Sequence, residues 1–495
     1  MSADAVVVGS GPNGLAAAVT LARAGLRVTV LERAAYAGGG LATRELLVGG
    51  VRHDVCSAVH PLAASSEFFR LFRLSERVEL LTPEISYGQV LTPSRAALAW
   101  RDLDRTAAEL GGDGAAWRRM LGPLAAHPDR LARLTGRPLV RMPDDPAMLL
   151  RFGLRVLGQG TAAWNAPFRG PDAPALLSGV FAHTITGQPT IGAAAAGLTL
   201  AAHAHAGGWP IPRGGGGAIA QALVDDLVAH GGSVEVGADV RDLGEISDAA
   251  IVMLDTTPRA FAGLAGSRLP ARFARRMRHF RYGNAAAKVD YVLNAPVPWA
   301  DERLRGAVTV HLGGTRAETA AAERRVAART PPGAGDGEPY VLTAQPTVLD
   351  PGRADDGRRV LWAYTHVPAG DTTDVTEQIT AAVERAAPGF RDTIVASGAR
   401  SAARLQEENP NYVGGDIGAG AADAWQLVAR PRLSPEPWRT PLTGVYLCSA
   451  STAPGPGVHG QAGWLAALAA LRHEHGITQA PSLAPTGGSG LPPLP

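Results

Sequence analysis

The stretch that decides the fold is Ala5-Val6-Val7-Val8-Gly9-Ser10-Gly11-Pro12-Asn13-Gly14, followed by Leu15, Ala18, Val19 and Ala22 and then by Arg27-Val28-Thr29-Val30-Leu31-Glu32. Four apolar residues with no polar face predict a strand inside a parallel sheet. Apolar residues spaced three and four apart after the glycines predict a helix. Gly25 suits the position just past its end. Residues 27–31 read as the next strand, with Glu32 at its tip. In such a unit Gly9 permits the tight turn, Gly11 lets backbone approach a pyrophosphate, and Gly14 lets helix and strand pack closely. The helix N-terminus offers free N–H groups and a positive dipole end to phosphates, and Pro12 and Asn13 of the turn join the glycines as cofactor-binding candidates. Glu32 lies 18 residues past Gly14, where a carboxylate accepts hydrogen bonds from ribose hydroxyls. These features together predict a dinucleotide site.

The same pattern serves NAD or FAD. Arg33 follows the acid, and Gly38-Gly39-Gly40-Leu41-Ala42-Thr43 comes soon after. A glycine run here, through Gly39 and Gly40, lets the chain lie against a pyrophosphate and a ribityl group. A plain NAD domain would proceed into its next helix, so FAD is the expected cofactor. The carboxy-terminal block fits this. Gly444-Val445-Tyr446-Leu447-Cys448 has a buried-strand pattern, and 449–457 is a loop of small residues. A helix is expected from Val458 through Trp464, Leu465, Leu468 and Leu471. The dipole of that second N-terminus would stabilise negative charge on a reduced flavin. Ser449, Ala450, Gly457, Val458 and Gly460 are therefore cofactor-binding candidates.

Composition narrows the field. The 495 residues allow about three domains, or two large ones. Hydrophobic residues at 46% and charged residues at 19% exclude a disordered or fibrous chain. Basic and acidic residues, 47 against 45, nearly cancel, so no field of that size recruits nucleic acid or an anionic membrane by itself. Two cysteines, Cys56 and Cys448, exclude a disulfide framework and a C-x-x-C redox pair. The pairs His203-x-His205 and His473-x-His475 lack further ligands at metal-binding spacing, so no metal site is expected. No secretory leader is visible, and the longest apolar runs fall short of the ~20 residues that span a bilayer. The expectation is a soluble, cytoplasmic chain without a transmembrane segment. Peripheral contact with a membrane stays open, because an amphipathic surface lies in the interface without spanning it.

Three separated blocks resemble the flavin-containing amine oxidase superfamily and, within it, the phytoene dehydrogenase-related oxidoreductases. The first runs from Val6 to Thr43 and continues through Asp54-Val55-Cys56-Ser57-Ala58-Val59-His60-Pro61. The second starts at Pro212-Arg213-Gly214-Gly215, passes through a helix at 218–229 and Gly232-Ser233-Val234-Glu235-Val236, and ends in Val240 and Asp255-Thr256-Thr257-Pro258. The third is Asn409-Pro410-Asn411-Tyr412-Val413-Gly414-Gly415-Asp416 with residues 444–463. The resemblance covers about half the chain and little of 95–205. It implies an α/β fold in which a Rossmann-like FAD-binding domain, built from discontinuous segments, is interleaved with an α+β substrate domain. The segments expected are FAD-binding at 1–90, 211–270 and 406–476, with substrate domain at 91–210, largely helical, and 271–405, a sheet plus helices. The tail 477–495 is Pro-, Gly- and Ser-rich and is expected to be disordered, and 315–337 is expected to contain an exposed loop. The resemblance also implies that Val240 pairs its backbone with the adenine.

One lysine, Lys288, stands among the 47 basic residues. Coding bias explains the arginines, and a surviving lysine marks a place for a compact, deprotonable amine. It lies in the strand-like run 283–293, ahead of Pro296-Val297-Pro298-Trp299. In many flavin amine oxidases a lysine at this place holds a water against flavin N5, and the resemblance puts Lys288 there. His459, at the expected helix start, and His60, in a loop that the resemblance brings toward the pocket, are candidate proton carriers. Tyr412 and Trp464 are candidate pocket walls. No second strand–GxGxxG–helix unit is present, which disfavours a nicotinamide-fed monooxygenase. The function expected is removal of a hydride from a small, apolar organic substrate, across a C–C or C–N bond. Electrons then pass to oxygen, a quinone or a partner protein. The alternatives are a flavin-dependent isomerase without net redox, and a catalytically silent flavoprotein that acts as a binding partner.

Overall fold

The computed structural model describes residues 3–330 and 337–485. Two sheets organise them. The first has five parallel strands in the order Val445–Leu447, Ile251–Leu254, Ala5–Val8, Val28–Glu32 and Ser233–Val236. Strands from the beginning, middle and end of the chain thus lie side by side. Each of the three central ones is nearly continuous in apolar residues, as burial on both faces demands. The helix Pro12–Arg23 packs between Gly217–Ala229 and Gln461–His475. Its approach to the last helix is so close that a Cβ on Gly463 would sit 1.8 Å from the Asn13 carbonyl oxygen.

The second sheet has seven strands, ordered Ile394–Arg400, Ala285–Leu293, Arg359–Val367, Val341–Ala344, Thr309–Leu312, Ile85–Thr92 and Arg95–Trp100. All neighbours are antiparallel except 309–312 with 85–92. Period-two alternation sorts the 285–293 strand. Ala285, Ala287, Val289, Tyr291 and Leu293 join a core with Ile379 and Val383 of the helix Thr376–Ala386. Ala286, Lys288 and Asp290 therefore face the other way, toward the first domain. Helices between 103 and 206 cover the far end of the sheet, including Pro146–Gln159 and Ile191–Ala206.

The structure departs from the sequence expectations in three places. The carboxy-terminal helix begins at Gln461, not at Val458, because Gly460 takes a left-handed φ of 66° and turns the chain there. The stretch 315–337, expected to contain an exposed loop, is for about half its length the helix Arg316–Ala327, which was not expected. A reciprocal cap between Thr315 and Glu318 starts it. Residues 331–336 of that stretch lie outside the described residues. The tail expected from 477 onward is anchored as far as it is described. Leu483 is buried, and Arg23 donates to the carbonyls of Ser482 and Ala484. Its remainder, 486–495, lies outside the described residues. No helix among the described residues is long and apolar enough to cross a membrane.

Candidate functional site

A cavity of about 950 Å³ runs from the glycine turn of the first domain to the face of the second sheet. Its floor is the turn itself. Gly9 has a φ of 96°, a conformation that side chains resist. A Cβ on Gly14 would lie 2.2 Å from the Gly9 carbonyl oxygen, so helix and strand touch as the spacing requires. Glu32 is held at the end of its strand by three hydrogen bonds. Its Oε2 accepts from Ser10 N at 2.8 Å and Ser10 Oγ at 2.7 Å, and its Oε1 accepts from Ala34 N at 2.8 Å. Oε1, with a single donor, keeps capacity for a further one.

Gly9, Gly11, Pro12, Asn13, Glu32 and Arg33 line this end of the cavity, as do Gly39, Gly40 and Val240. Ser449, Ala450, Gly457 and Val458 line it from the carboxy-terminal loop, and His60, His459 and Tyr412 from its sides. Gly14 and Gly460 stand behind the wall, where their lack of a side chain permits close packing. Trp464, expected as a wall, is buried in the core of the first domain instead.

Side chains sew the three segments together here. Asn411 accepts from Thr257 N at 3.1 Å and donates to the Asp255 carbonyl at 2.9 Å. Ser449 Oγ donates to the Thr256 carbonyl at 2.7 Å. Asp255 itself reaches the start of the 12–23 helix, and its Oδ2 accepts from Gly14 N at 3.0 Å. Burial pushes this carboxyl up to about 7, with the nearby Glu32 charge adding to the effect, while the bond from Gly14 opposes it. An acid that is readily neutral fits a place where phosphate negative charge is to be bound. The sequence signal for Asp255 is its position directly after an apolar strand of the same sheet.

Lys288 does not line the cavity. It is buried one layer behind, and its ammonium donates to the carbonyls of Asp54 at 2.7 Å and Val55 at 2.9 Å and pairs with Asp290 at 3.0 Å. These partners account for its three protons. Burial pulls its pKa down, against the opposing pull of Asp290. For Asp290 burial acts upward, but Lys288, His53 and Arg400 outweigh it and hold the carboxylate below its ordinary value. The Asp54 side chain extends the layer. It accepts from Thr43 Oγ1, Gly216 N and Arg353, each within 2.9 Å, while Asp350 accepts from Arg353 at 2.9 Å and from Gly214 N at 2.7 Å. Residues 55–60, which line the cavity, hang from this layer. The signal for it was Lys288-x-Asp290 in an apolar strand, since residues two apart share a face.

The two histidines differ. His459 donates from Nε2 to the Gly455 carbonyl at 3.1 Å and accepts at Nδ1 from Gln461 N at 3.0 Å, so both nitrogens brace the loop. His60 has no protein partner on either nitrogen. Burial pushes both imidazoles down to about 4, although Asp54 opposes this for His60. The far wall adds residues that the sequence did not single out: His183, Trp209, Thr309, Trp362 and Tyr364. His183 meets His311 through their Nε2 atoms at 3.0 Å, and burial keeps both rings neutral. His203 approaches Ser65 Oγ at 3.4 Å, and His205 accepts from Trp117 at 3.0 Å, so each has a structural partner.

The described residues fit a flavin dinucleotide. Asn13 Oδ1, Thr256 Oγ1 and both nitrogens of His60 are buried on cavity residues without a protein partner, as polar atoms awaiting a ligand are. The fold and the site define a Rossmann-type dinucleotide-binding domain carrying an inserted second domain, the architecture of FAD oxidoreductases. Comparisons with known proteins agree. A family model described as an NAD(P)-binding Rossmann-like domain matches residues 7–74. Over 554 aligned positions the chain is 25% identical to the pyridine nucleotide-disulfide oxidoreductase domain-containing protein 2 of Rattus norvegicus, spanning 95% of this chain and 93% of that one. Among solved structures it resembles an oxidoreductase from Methanosarcina mazei, with a TM-score of 0.54, 17% identity, and 94% and 99% of the two chains covered. It also resembles cyclohexylamine oxidase from Brevibacterium oxydans, with a TM-score of 0.55, 14% identity, and 95% and 99% covered. Those structural likenesses concern the fold.

Proposed function

We propose that this chain is an FAD-dependent oxidoreductase, of the phytoene dehydrogenase-related kind, that dehydrogenates an organic and largely apolar substrate. The observation that carries the proposal is the single cavity. It joins the glycine turn and Glu32 to a wall of Trp362 and Tyr364 on the second sheet, with Trp209 and the neutral His183 beside them. Bound there, FAD would supply a two-electron acceptor for a hydride leaving a substrate C–H bond. The residues that would hold it are the 9–14 turn, Glu32, Val240, and the 449–458 loop.

The chain's own part is positioning, exclusion of water and proton handling. Trp209, Trp362 and Tyr364 give the substrate side of the cavity an apolar surface that aligns a donor carbon and keeps water out. His60 is the wall imidazole whose nitrogens have no protein partner, and it suits proton transfer better than His459, whose two nitrogens are both engaged. Lys288 is a positioning residue, because its partners are the backbone of the loop that presents His60. Disulfide chemistry, which the rat relative's name mentions, finds no support here, since Cys56 and Cys448 are both free.

The test is the absorption spectrum of the purified chain, identification of the released nucleotide by mass, and anaerobic bleaching against a panel of apolar metabolites. A yellow protein that releases FAD and is bleached by a member of the panel supports the proposal. A chain that stays colourless after reconstitution overturns it. Bleaching followed by timed return of colour with oxygen, a quinone or a partner protein then identifies the acceptor. Turnover without bleaching would point to isomerisation instead.

A further inference from the structure

The helix Pro146–Gln159 buries only one side. Met148, Phe152, Val156 and Gln159 point inward. On the opposite side Leu150, Leu154 and Leu157, spaced four and three apart, are 63%, 60% and 56% exposed. The segment leading into the helix adds Leu139 and Met142, the latter 88% exposed. Of 13 large hydrophobic residues exposed among the described residues, six fall between 139 and 157. Scattered exposed leucines need no explanation, but a concentrated patch marks a surface that something covers.

Charge says what covers it. The whole chain is almost neutral, yet residues 118–159 hold eight arginines against three aspartates. Arg130 and Arg141 pair with Asp145 and Asp144, whereas Arg119 and Arg151 are exposed without a carboxylate partner among the described residues. An apolar stripe flanked by arginine matches the boundary between acyl chains and anionic headgroups. A 14-residue helix is too short to span a bilayer but suits lying in its plane.

The position of the patch gives it a use. The main cavity continues past His60 along small and apolar residues of the helices Pro128–Thr135 and Ile191–Ala206, including Ala132, Ala195 and Ala196. Phe152 and Leu139 line it as well. A second hollow of about 560 Å³ shares Leu139 and is lined also by Arg133, Arg141 and Leu149. Phe152 thus lines the cavity from one side of the helix whose other side is the leucine stripe. We propose that this face docks on an anionic lipid bilayer and that the substrate passes from the acyl region past Leu139. The docking stands on the surface alone, whereas the delivery of substrate rests on the function proposed above.

The experiment is flotation of the full chain, with its flavin content recorded, on vesicles of phosphatidylcholine and on vesicles of an equal mixture with phosphatidylglycerol. Wild type is expected on the mixed vesicles, in a salt-sensitive manner, and far less on phosphatidylcholine alone. Leu150→Glu, Leu154→Glu and Leu157→Glu combined are expected to lower the bound fraction at least about tenfold. The melting temperature and flavin content should remain unchanged. Wild type absent from both vesicle types, or a triple variant that floats like wild type, overturns the proposal. So does a wild-type dimer in sedimentation equilibrium that becomes monomeric in the triple variant while neither floats, because the patch would then be covered by a second copy. A colourless chain that floats removes the proposed function and leaves the docking. A yellow chain that does not float does the reverse.

Discussion

The floor of the cavity and the layer behind its wall are built in opposite ways. At the 9–14 turn the functional groups are backbone, and the side chains matter mainly by being absent: Gly9, Gly11 and Gly14 make room for a ligand and a helix. Behind residues 54–60 the functional groups are paired charges, with Lys288, Asp290, Asp54 and Arg353 buried and Arg400 half-buried. A site made of backbone is local and tolerates no added atom. A site made of buried charge is long-range and tolerates no missing one. The two should therefore fail differently.

The largest effect is expected in the charged layer. Lys288→Met removes one of the two full cations paired with the buried Asp290, leaving Arg400, and frees two carbonyls, which costs about 4 kcal/mol of stability. Combining it with Asp290→Asn should recover part of that loss, because the under-compensated charge is gone. Chemical denaturation of the two single variants and the double one reads the coupling. Losses that simply add would show that the pair is incidental. Next comes Gly14→Ala, whose Cβ falls 2.2 Å from the Gly9 carbonyl oxygen and 3.0 Å from the Asp255 Cβ. Forcing backbone apart here costs about 3 kcal/mol, and flavin content should fall with it. A Gly14→Ala chain that retains its flavin and its melting temperature would break the contrast at its stronger end.

The same contrast explains what could be read from the amino-acid order. Ala5 to Glu32 spelled out strand, turn, helix and strand because every determinant lies within 28 residues. The strand around Lys288 was legible too, and so was its oddity as the one lysine. Its partners were not. Asp54 lies 234 residues away, and nothing local says that its carbonyl accepts the lysine's proton. Without that partner the lysine was drawn into the cavity, whereas period-two alternation with Asp290 placed it against the neighbouring domain's backbone. The start of the last helix was misread by three residues for a related reason: Val458 and His459 are compatible with a helix, but Gly460 turns left-handed. His183 and Trp209 carried no local signal, since only the folding of helices onto the second sheet brings them to one wall.

Asp255 belongs to both regimes, being a side chain that serves the backbone turn. Its carboxyl is raised from an ordinary 3.8 to about 7 mainly by burial. The folded state therefore holds the proton more tightly than the unfolded state between those values. Stability should be greatest below the lower value, fall as pH rises through the window, and level off above the upper one. Asp255→Asn carries no such proton, so the stability of wild type relative to the variant should fall as pH rises across the window. Melting curves at a series of pH values measure it. A difference that does not vary with pH would show that the carboxyl is already ionised in the folded chain, which would also remove the reason for its tolerating phosphate charge nearby.

The smallest effect separates the two histidines of the wall. His459 spends Nε2 on the Gly455 carbonyl and Nδ1 on Gln461 N, one bond on each side of the left-handed Gly460. It acts on backbone, as the glycines do, and burial holds it neutral by lowering its pKa to about 4. His459→Gln replaces a rigid ring by a flexible amide that keeps at most part of this bracing, for a loss of about 1 kcal/mol. The pH dependence of turnover should keep its shape, because no proton passes through a ring whose two nitrogens are already engaged. His60 makes no such bonds, so His60→Gln should leave stability nearly unchanged and alter the pH profile of turnover instead. Stopped-flow reduction across pH, run on both variants beside their melting curves, tests the assignment. A pH-rate limb that vanishes in His459→Gln and persists in His60→Gln would exchange their roles and place the proton on the loop beside the carboxy-terminal helix.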